Sequence, residues 1–249
     1  MAKLSYPELL ELGRWNTPTI YNGWEAVSKR NRLECVMSRE ALTDYMPSMG
    51  AMVGYAVTVE YTCKDAAVKS ANPDCYKDMF KYIASIPGPK ILVAKDLDAP
   101  DSVGSIFGEV TGNVYKALGC NGCITDGFVR DVDEAAGSGI KFLAKRLGVS
   151  HTYSCPVRFG AELDICGAHI APGMLIHGDK YGFIAIPEED QENLLKGVRF
   201  MDSLECKHTI PVGRGTFGLT EKEVLDQLCS AWDAFGVEAD AFAKEHRSK

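Results

Sequence analysis

The chain has 249 residues, with Lys+Arg 27 against Asp+Glu 34, a formal charge of −7, 46% hydrophobic and 24% charged residues. That length and balance suit one compact domain, or one with an appended segment, and exclude a disordered chain, a collagen-like repeat and a coiled-coil rod. The acidic surface offers no general attraction to a phosphate backbone and no local basic patch offsets it, so nucleic acid is not an expected partner.

The opening Met1-Ala2-Lys3-Leu4-Ser5-Tyr6-Pro7-Glu8 lacks a signal-peptide apolar stretch, and no later run approaches the roughly 18 apolar residues of a membrane span. The cytoplasm is the expected compartment, and the nine scattered cysteines read as reduced core thiols. Glu8 to Arg14 reads as a short amphipathic helix, stopped at Asn16-Thr17-Pro18-Thr19 because proline cannot continue it. Met52 to Tyr61, rich in β-branched and aromatic residues after the turn Pro47-Ser48-Met49-Gly50, reads as a strand. Asn72-Pro73-Asp74 opens a helix with Tyr76, Met79, Phe80 and Ile83 on one face, closed by Pro87-Gly88-Pro89.

Strand Ile91 to Ala94 follows, then a helix from about Ser105 to Leu118, strand Gly122 to Thr125, a short helix Asp131 to Gly139, and strand Ile140 to Ala144. Residues 74–144 thus alternate in the manner of a parallel α/β sheet, the expected chemical centre. From 155 to 186 come short β-like runs between glycine-rich turns. Glu188 to Met201 reads as a helix, and Thr220-Glu221-Lys222-Glu223 is a capping box ahead of Val224, Leu225, Leu228, Cys229, Trp232 and Phe235. The expected division is a catalytic domain over 1–188 and a C-terminal helical extension over 189–249. No internal repeat or low-complexity segment interrupts it.

The densest polar cluster, Asp126 to Glu134, follows a buried-looking strand, and ligands of open α/β sheets sit outside the carboxyl ends of strands. Asp131 and Glu134, three apart at a helix start, can share a face, and two carboxylates with waters suit Mg²⁺ or Mn²⁺. Arg130 could grip a substrate carboxylate in bidentate fashion. The competing reading is that these acids only complement the helix macrodipole. Gly104 to Gly112 is a glycine-rich turn opening a helix, able to aim free N–H groups at an anion.

Several runs together carry a resemblance: Gly54-Tyr55-Ala56-Val57-Thr58-Val59, Gly108-Glu109, Gly122 through Asp131, Pro172-Gly173, and Gly178-Asp179 with Gly182. The chain resembles the RraA-like family over roughly residues 17–188, a family that includes class II 4-hydroxy-4-methyl-2-oxoglutarate (HMG) aldolases and the regulator of ribonuclease activity A. The most specific element is an acid, twenty intervening residues, Arg-Asp, two residues and a further acid, met by Glu109, Arg130, Asp131 and Glu134. The resemblance implies a swivelling β/β/α domain, assembly as a homotrimer or homohexamer, and sites between subunits. It implies that Asp131 binds the divalent metal, Glu134 holds metal-bound water, and Arg130 contacts the pyruvyl carboxylate and carbonyl. Gly108 and the backbone amides of Glu109, Val110 and Thr111 would complete the substrate pocket. This chain departs from the aldolases in having Glu109 where they have Asp, Lys180 and Tyr181 in the acidic run, no Asp-Ala near Asn22-Gly23-Trp24, and the added 189–249.

The expectation is a divalent-metal-dependent lyase on a 2-oxo acid, by retro-aldol cleavage to pyruvate or oxaloacetate decarboxylation. A metal and an arginine stabilise the charge that grows on the enolate oxygen, and a water ordered by Glu109 or Glu134 takes the 4-hydroxyl proton. The alternatives are a non-catalytic regulatory binding protein, or an isomerase or dehydratase using the same enolate chemistry. Rival motifs carry less: Cys120 and Cys123 have no second pair for zinc, and Gly213 to Gly218 matches GxGxxG without a βαβ unit. The five histidines, including His151 and His177, read as surface or satisfied core residues, and Lys95 as a possible Schiff-base lysine only if its pKa were lowered.

Overall fold

The structure, a computed structural model, describes residues 4–247, so the first three residues of the opening stretch and the last two of the tail lie outside the described residues. In chain order the elements are α1 (Tyr6–Leu12), α2 (Thr17–Val27), β1 (Val36–Met37), β2 (Thr43–Asp44), β3 (Met52–Thr62), α3 (Ala66–Ala71), α4 (Cys75–Ser85), β4 (Lys90–Asp96), α5 (Glu109–Ala117), β5 (Cys120–Val129), α6 (Val132–Ala136) and β6 (Lys141–Leu147). There follow β7 (Cys155–Phe159), β8 (Leu163–Ile165), β9 (Ala168–Ile170), β10 (Leu175–Asp179), β11 (Gly182–Ile186), α7 (Leu194–Lys207), α8 (Thr209–Arg214) and α9 (Glu221–His246). No helix among the described residues is long and apolar enough to cross a membrane.

The chain divides into two compact units, one of residues 4–17 with 35–188 and one of 18–34 with 189–247. In the larger unit one sheet runs β1-β11-β10-β3-β4-β5-β6-β2, with β7 also paired to β3. The central four, β3 to β6, are parallel, and the flanking pairs are antiparallel. Strand β3 is long enough to pair β10 through Met52 to Tyr55 and β7 through Val59 to Thr62.

Alternation along the strands sorts the core into two layers, because successive side chains point to opposite faces. Val57, Val59, Tyr61, Leu92, Ala94, Cys123, Phe142 and Ala144 pack with Met79 and Ile83 of α4, Tyr115 of α5 and Ala135 of α6. Ala56, Ile91, Val93, Ile124 and Leu143 pack with Leu163, Ile165, Ala168 and Ile170 of the β8–β9 hairpin. The result is the β/β/α layering that the resemblance implies, with the parallel α/β region that the pattern predicts at its centre. All nine cysteines are free thiols; seven are buried, Cys206 and Cys229 exposed, and burial pushes the Cys120 thiol up to about 12.

Several elements differ from the sequence reading. Pro18 opens α2 rather than only stopping the helix before it, since the first turn needs no N–H from proline. The strand expected over 122–125 runs from Cys120 to Val129, so Asp126 to Val129 are strand, not loop. A shift of register between Thr125 and Phe128 accompanies Gly127, where a Cβ would meet the Tyr61 hydroxyl and sit 2.6 Å from Asp96 Oδ2. The helix expected from Ser105 starts at Glu109, and the one expected over 131–139 is only Val132–Ala136. The helix expected from Glu188 begins with a single 3₁₀ turn, Glu188–Asp190, before α7. Asp65 caps the unforeseen α3 by accepting from the N–H groups of Ala67 and Val68 at 2.8 and 3.0 Å.

In the smaller unit Phe200 of α7 stacks on Phe242 of α9 at 3.9 Å. Gly23 of α2 and Gly197 of α7 let two helix backbones approach so closely that either Cβ would collide with the opposite helix. Buried Asp190 accepts from Trp24 Nε1 at 2.8 Å and Ser28 Oγ at 2.9 Å. Thr220 and Glu223 form the expected capping box of α9. The Gly213 to Gly218 run lies across the end of α8 and the turn before α9.

Candidate active site

At the carboxyl end of β5 the chain turns sharply. Arg130 N–H donates to the Phe107 carbonyl at 3.2 Å, tying the strand end to the loop before α5. Asp131 then adopts a left-handed conformation, φ 53° and ψ 41°, which costs an L-residue roughly 1–2 kcal/mol and is easiest for Asp and Asn. It caps α6 with its backbone only. Its carboxylate turns back instead, accepting from Arg130 Nε at 3.0 and 3.2 Å and from the Glu109 N–H at 3.4 Å. Gly108 is pressed against this pair: a Cβ there would lie 2.7 Å from Asp131 Oδ2 and 3.3 Å from Arg130 Cγ.

These groups line a cleft of about 470 Å³ with Ser105, Ile106, Phe107, Val110, Thr111, Lys69, Tyr76, His151, Thr152 and Ser154. The far wall is fixed by the segment before β7. Thr152 Oγ1 donates to the Cys63 carbonyl at 2.6 Å, Ser105 N–H to the Ser150 carbonyl at 3.1 Å, and Gly104 fits where a Cβ would be 2.8 Å from His151 O. Tyr76 and Ser154 share a 2.8 Å hydrogen bond, and burial pushes the Tyr76 phenol up to about 12, so it stays protonated near neutrality.

Two sets of donors face no acceptor. Arg130 uses only Nε on Asp131, and its terminal Nη atoms make no hydrogen bond among the described residues. At the start of α5, Thr111 Oγ1 accepts from Gly108 N–H at 3.1 Å and Gly112 N–H reaches the Gly108 carbonyl at 2.8 Å. The N–H groups of Val110 and Thr111 have no acceptor among the described residues, the ordinary chemistry of an anion site at a helix start.

Of the sequence candidates, Gly108, Val110, Thr111, Arg130 and Asp131 come together in the cleft. Glu109 enters by its N–H alone, its side chain being exposed and outside the lining; Glu134 is exposed and also outside it. Among the described residues no three His, Cys, Asp or Glu converge as a metal cage. The donor set fits a hydrated Mg²⁺ or Mn²⁺, which keeps most of its water and takes one or two carboxylates, with Asp131 as the carboxylate in the cleft. Lys95 pairs with buried Asp126 at 2.8 Å and does not line the cleft, which leaves no place for it as a Schiff-base lysine there. Lys69, Tyr76, His151, Thr152 and Ser154 escaped the sequence reading because only tertiary folding brings α3, α4 and the 151–154 loop to the end of β5.

The family model described as RraA-like, Aldolase/RraA, matches residues 17–185. The chain belongs to the RraA-like family. Among solved structures, this RraA-like chain is similar to an uncharacterized protein from Pseudomonas syringae pv. tomato str. DC3000, at 19% identity and TM-score 0.67 over 90% of this chain and 94% of that one. It is similar also to Streptomyces coelicolor RraAS2, described as an unusual member of the RNase ES inhibitor RraA protein family, at 14% identity and TM-score 0.64 over 83% and 98% of the two chains. A structure described under novel cellulases from microbes associated with the gut ecosystem aligns at 15% identity and TM-score 0.67 over 83% and 89%. At these identities the likeness is one of fold. No protein of curated function matches the sequence.

Proposed function

We propose that this RraA-like chain is a divalent-metal-dependent lyase that releases pyruvate from a 2-oxo acid, by retro-aldol cleavage of a 4-hydroxy-2-oxo acid, by oxaloacetate decarboxylation, or by both. The observation that carries the reading is the meeting, in one cleft, of the free Arg130 fork, the two unpaired α5 N–H groups and the Asp131 carboxylate. A cleft built only to bind a protein partner has no use for such a set.

The substrate carboxylate lies against the N–H groups of Val110 and Thr111, and the Arg130 Nη atoms reach its C1 carboxylate and C2 carbonyl oxygen. Asp131 holds Arg130 by Nε, so the fork is presented without having to reorganise as charge develops. A divalent ion held by Asp131 would supply Lewis-acid polarisation of the carbonyl. In the cleavage a water takes the 4-hydroxyl proton, Glu109 or Glu134 orienting that water only by turning in from its exposed place outside the lining, and the C3–C4 bond breaks. Its electron pair forms the C2–C3 double bond of the enolate, whose oxygen Arg130 stabilises. In decarboxylation the same pair comes from the bond to the departing CO₂. Protonation at C3 completes pyruvate, and no side-chain nucleophile is needed. The site works in a homotrimer or homohexamer.

The test is pyruvate release from 4-hydroxy-4-methyl-2-oxoglutarate and from oxaloacetate with Mg²⁺ or Mn²⁺, repeated after EDTA. Metal-dependent release, lost in Arg130→Ala and Asp131→Ala variants that keep the wild-type oligomer, is the expected result. Release that survives EDTA, or unchanged turnover in either variant, refutes the assignment. A stable macromolecular partner with no turnover would establish the regulatory binding protein instead.

A further inference from the structure

The cleft has a second cationic pole that the chemistry above does not use. Lys69, in the last turn of α3, is half-buried and lines the cleft with Arg130. Its ammonium lies 4.9 Å from the Tyr76 ring centroid and donates to Cys75 Sγ at 3.4 Å. No carboxylate pairs with it among the described residues. A thiol is a weak acceptor, and an aromatic face only partly replaces lost water, so among the described residues the ammonium lines the cleft without an ionic partner. Arg130, by contrast, already has Asp131.

We propose that Lys69 is a specificity-determining residue that receives a second carboxylate, at the end of the substrate away from the 2-oxo group. This rests on the 2-oxo acid reading of the cleft and goes beyond it by naming what recognises the far end. The open donors support it: a 2-oxo monoacid takes the Arg130 Nη atoms and the α5 amides and leaves Lys69 without an ionic partner, whereas the far carboxylate of a diacid gives it one. The donor count favours a carboxylate over a phosphate ester. Tyr76 and Ser154 share one hydrogen bond and Thr152 Oγ1 donates to the Cys63 carbonyl, which leaves one ammonium, exposed His151 and the one remaining hydroxyl hydrogen of the Tyr76–Ser154 pair as the donors at that end, a single full charge suited to a carboxylate.

The experiment compares two non-cleavable ligands of equal length, 2-oxoglutarate and 2-oxovalerate, which differ in a terminal carboxylate. Each is titrated calorimetrically, with Mg²⁺ present, into the wild-type protein, Lys69→Met and Lys69→Arg, with thermal melts as a check on folding. The wild type should bind 2-oxoglutarate about 10- to 100-fold more tightly, the range for one hydrogen bond to a charged group. Lys69→Met should bring the two affinities within about twofold by weakening only 2-oxoglutarate, and Lys69→Arg should restore most of the preference. A wild type that binds 2-oxovalerate as well as 2-oxoglutarate, or a folded Lys69→Met that keeps the preference, overturns the Lys69 assignment and leaves the 2-oxo acid reading standing. A wild type that binds neither ligand overturns both.

Discussion

Gly108 offers the sharpest test of how tightly the cleft is built. Its φ of −168° is extended backbone that any residue adopts, so Gly108→Ala introduces a methyl group and no backbone strain. That methyl would stand 2.7 Å from Asp131 Oδ2, and ordinary contact begins at 3.4 Å, so the carboxylate must retreat by about 0.7 Å. Arg130 must follow, because its Nε is held by the same carboxylate and its Cγ is 3.3 Å from the new methyl. A misplacement near 1 Å costs up to about 100-fold in rate, so kcat/KM for pyruvate release should fall about 10- to 100-fold. Asp131 and Arg130 are each about a third exposed and can give way, so stability should fall by only about 1 kcal/mol, the lower end for overpacking, or about 2–4 °C in Tm for a chain of this size. The assay is steady-state pyruvate release with a thermal melt alongside. Gly213→Ala, which meets nothing within 4 Å, is the control and should leave the rate unchanged. A Gly108→Ala protein with wild-type kcat/KM would refute the claim that the Arg130–Asp131 geometry controls turnover.

His177 and Lys141 test the larger unit away from the cleft. Burial pushes the His177 imidazole down to about 4, and the ring bonds Thr17 Oγ1 at 3.0 Å and the Leu12 carbonyl at 3.2 Å in its neutral form. Between about pH 6.5 and 4 the unfolded chain therefore binds more protons than the fold; the stabilisation is complete above pH 6.5 and about 3 kcal/mol of it is lost by pH 4. His177→Gln should be less stable at pH 8 yet show a shallower acid loss in urea titrations at pH 8, 6 and 5, and parallel slopes for the two proteins would contradict this. Lys141 and Asp44, each 2% exposed, pair at 2.5 Å, and Lys141 Nζ also donates to the Met46 carbonyl at 2.9 Å. Lys141→Met leaves the buried carboxylate without a counter-charge, its Oδ1 still accepting from the Met46 N–H at 3.0 Å, and should cost about 3–5 kcal/mol in urea titration, with Lys141→Met/Asp44→Leu recovering much of it; a single-variant cost below about 1 kcal/mol would show that water reaches Asp44.

The layered sheet is legible in the sequence because its physics is local. Ile91 to Ala94 and Gly122 to Thr125 are apolar runs too short for helices and spaced by helical patterns, and their alternation assigns Leu92 and Cys123 to one layer, Ile91 and Ile124 to the other. Element ends are less legible, because they depend on partners. Val129 remains strand since β6 continues beside it to Leu147, a pairing that no window around Val129 contains. Pro18 marks a boundary in either direction, and only the packing of α2 decides that a helix follows it.

The candidate site divides along the same line. Arg130 and Asp131 stand out as neighbours at a strand end, and the acid spacing draws attention to Glu109 and Glu134. Spacing along the chain cannot say which atom of a residue is used: Glu109 offers its N–H, and Glu134 stays exposed outside the cleft lining. The decisive variable is the backbone of Asp131. In an ordinary helix start its side chain would accept from the first turn of α6, and the acids of 131–134 would do no more than complement a dipole. The left-handed turn instead sends the carboxylate to Arg130 and Glu109, leaving the Arg130 fork and the α5 amides open. One residue's departure from its commonest conformation therefore separates a side-chain-capped helix from a start whose carboxylate faces Arg130 and the α5 amides, and no spacing in the sequence discloses that departure.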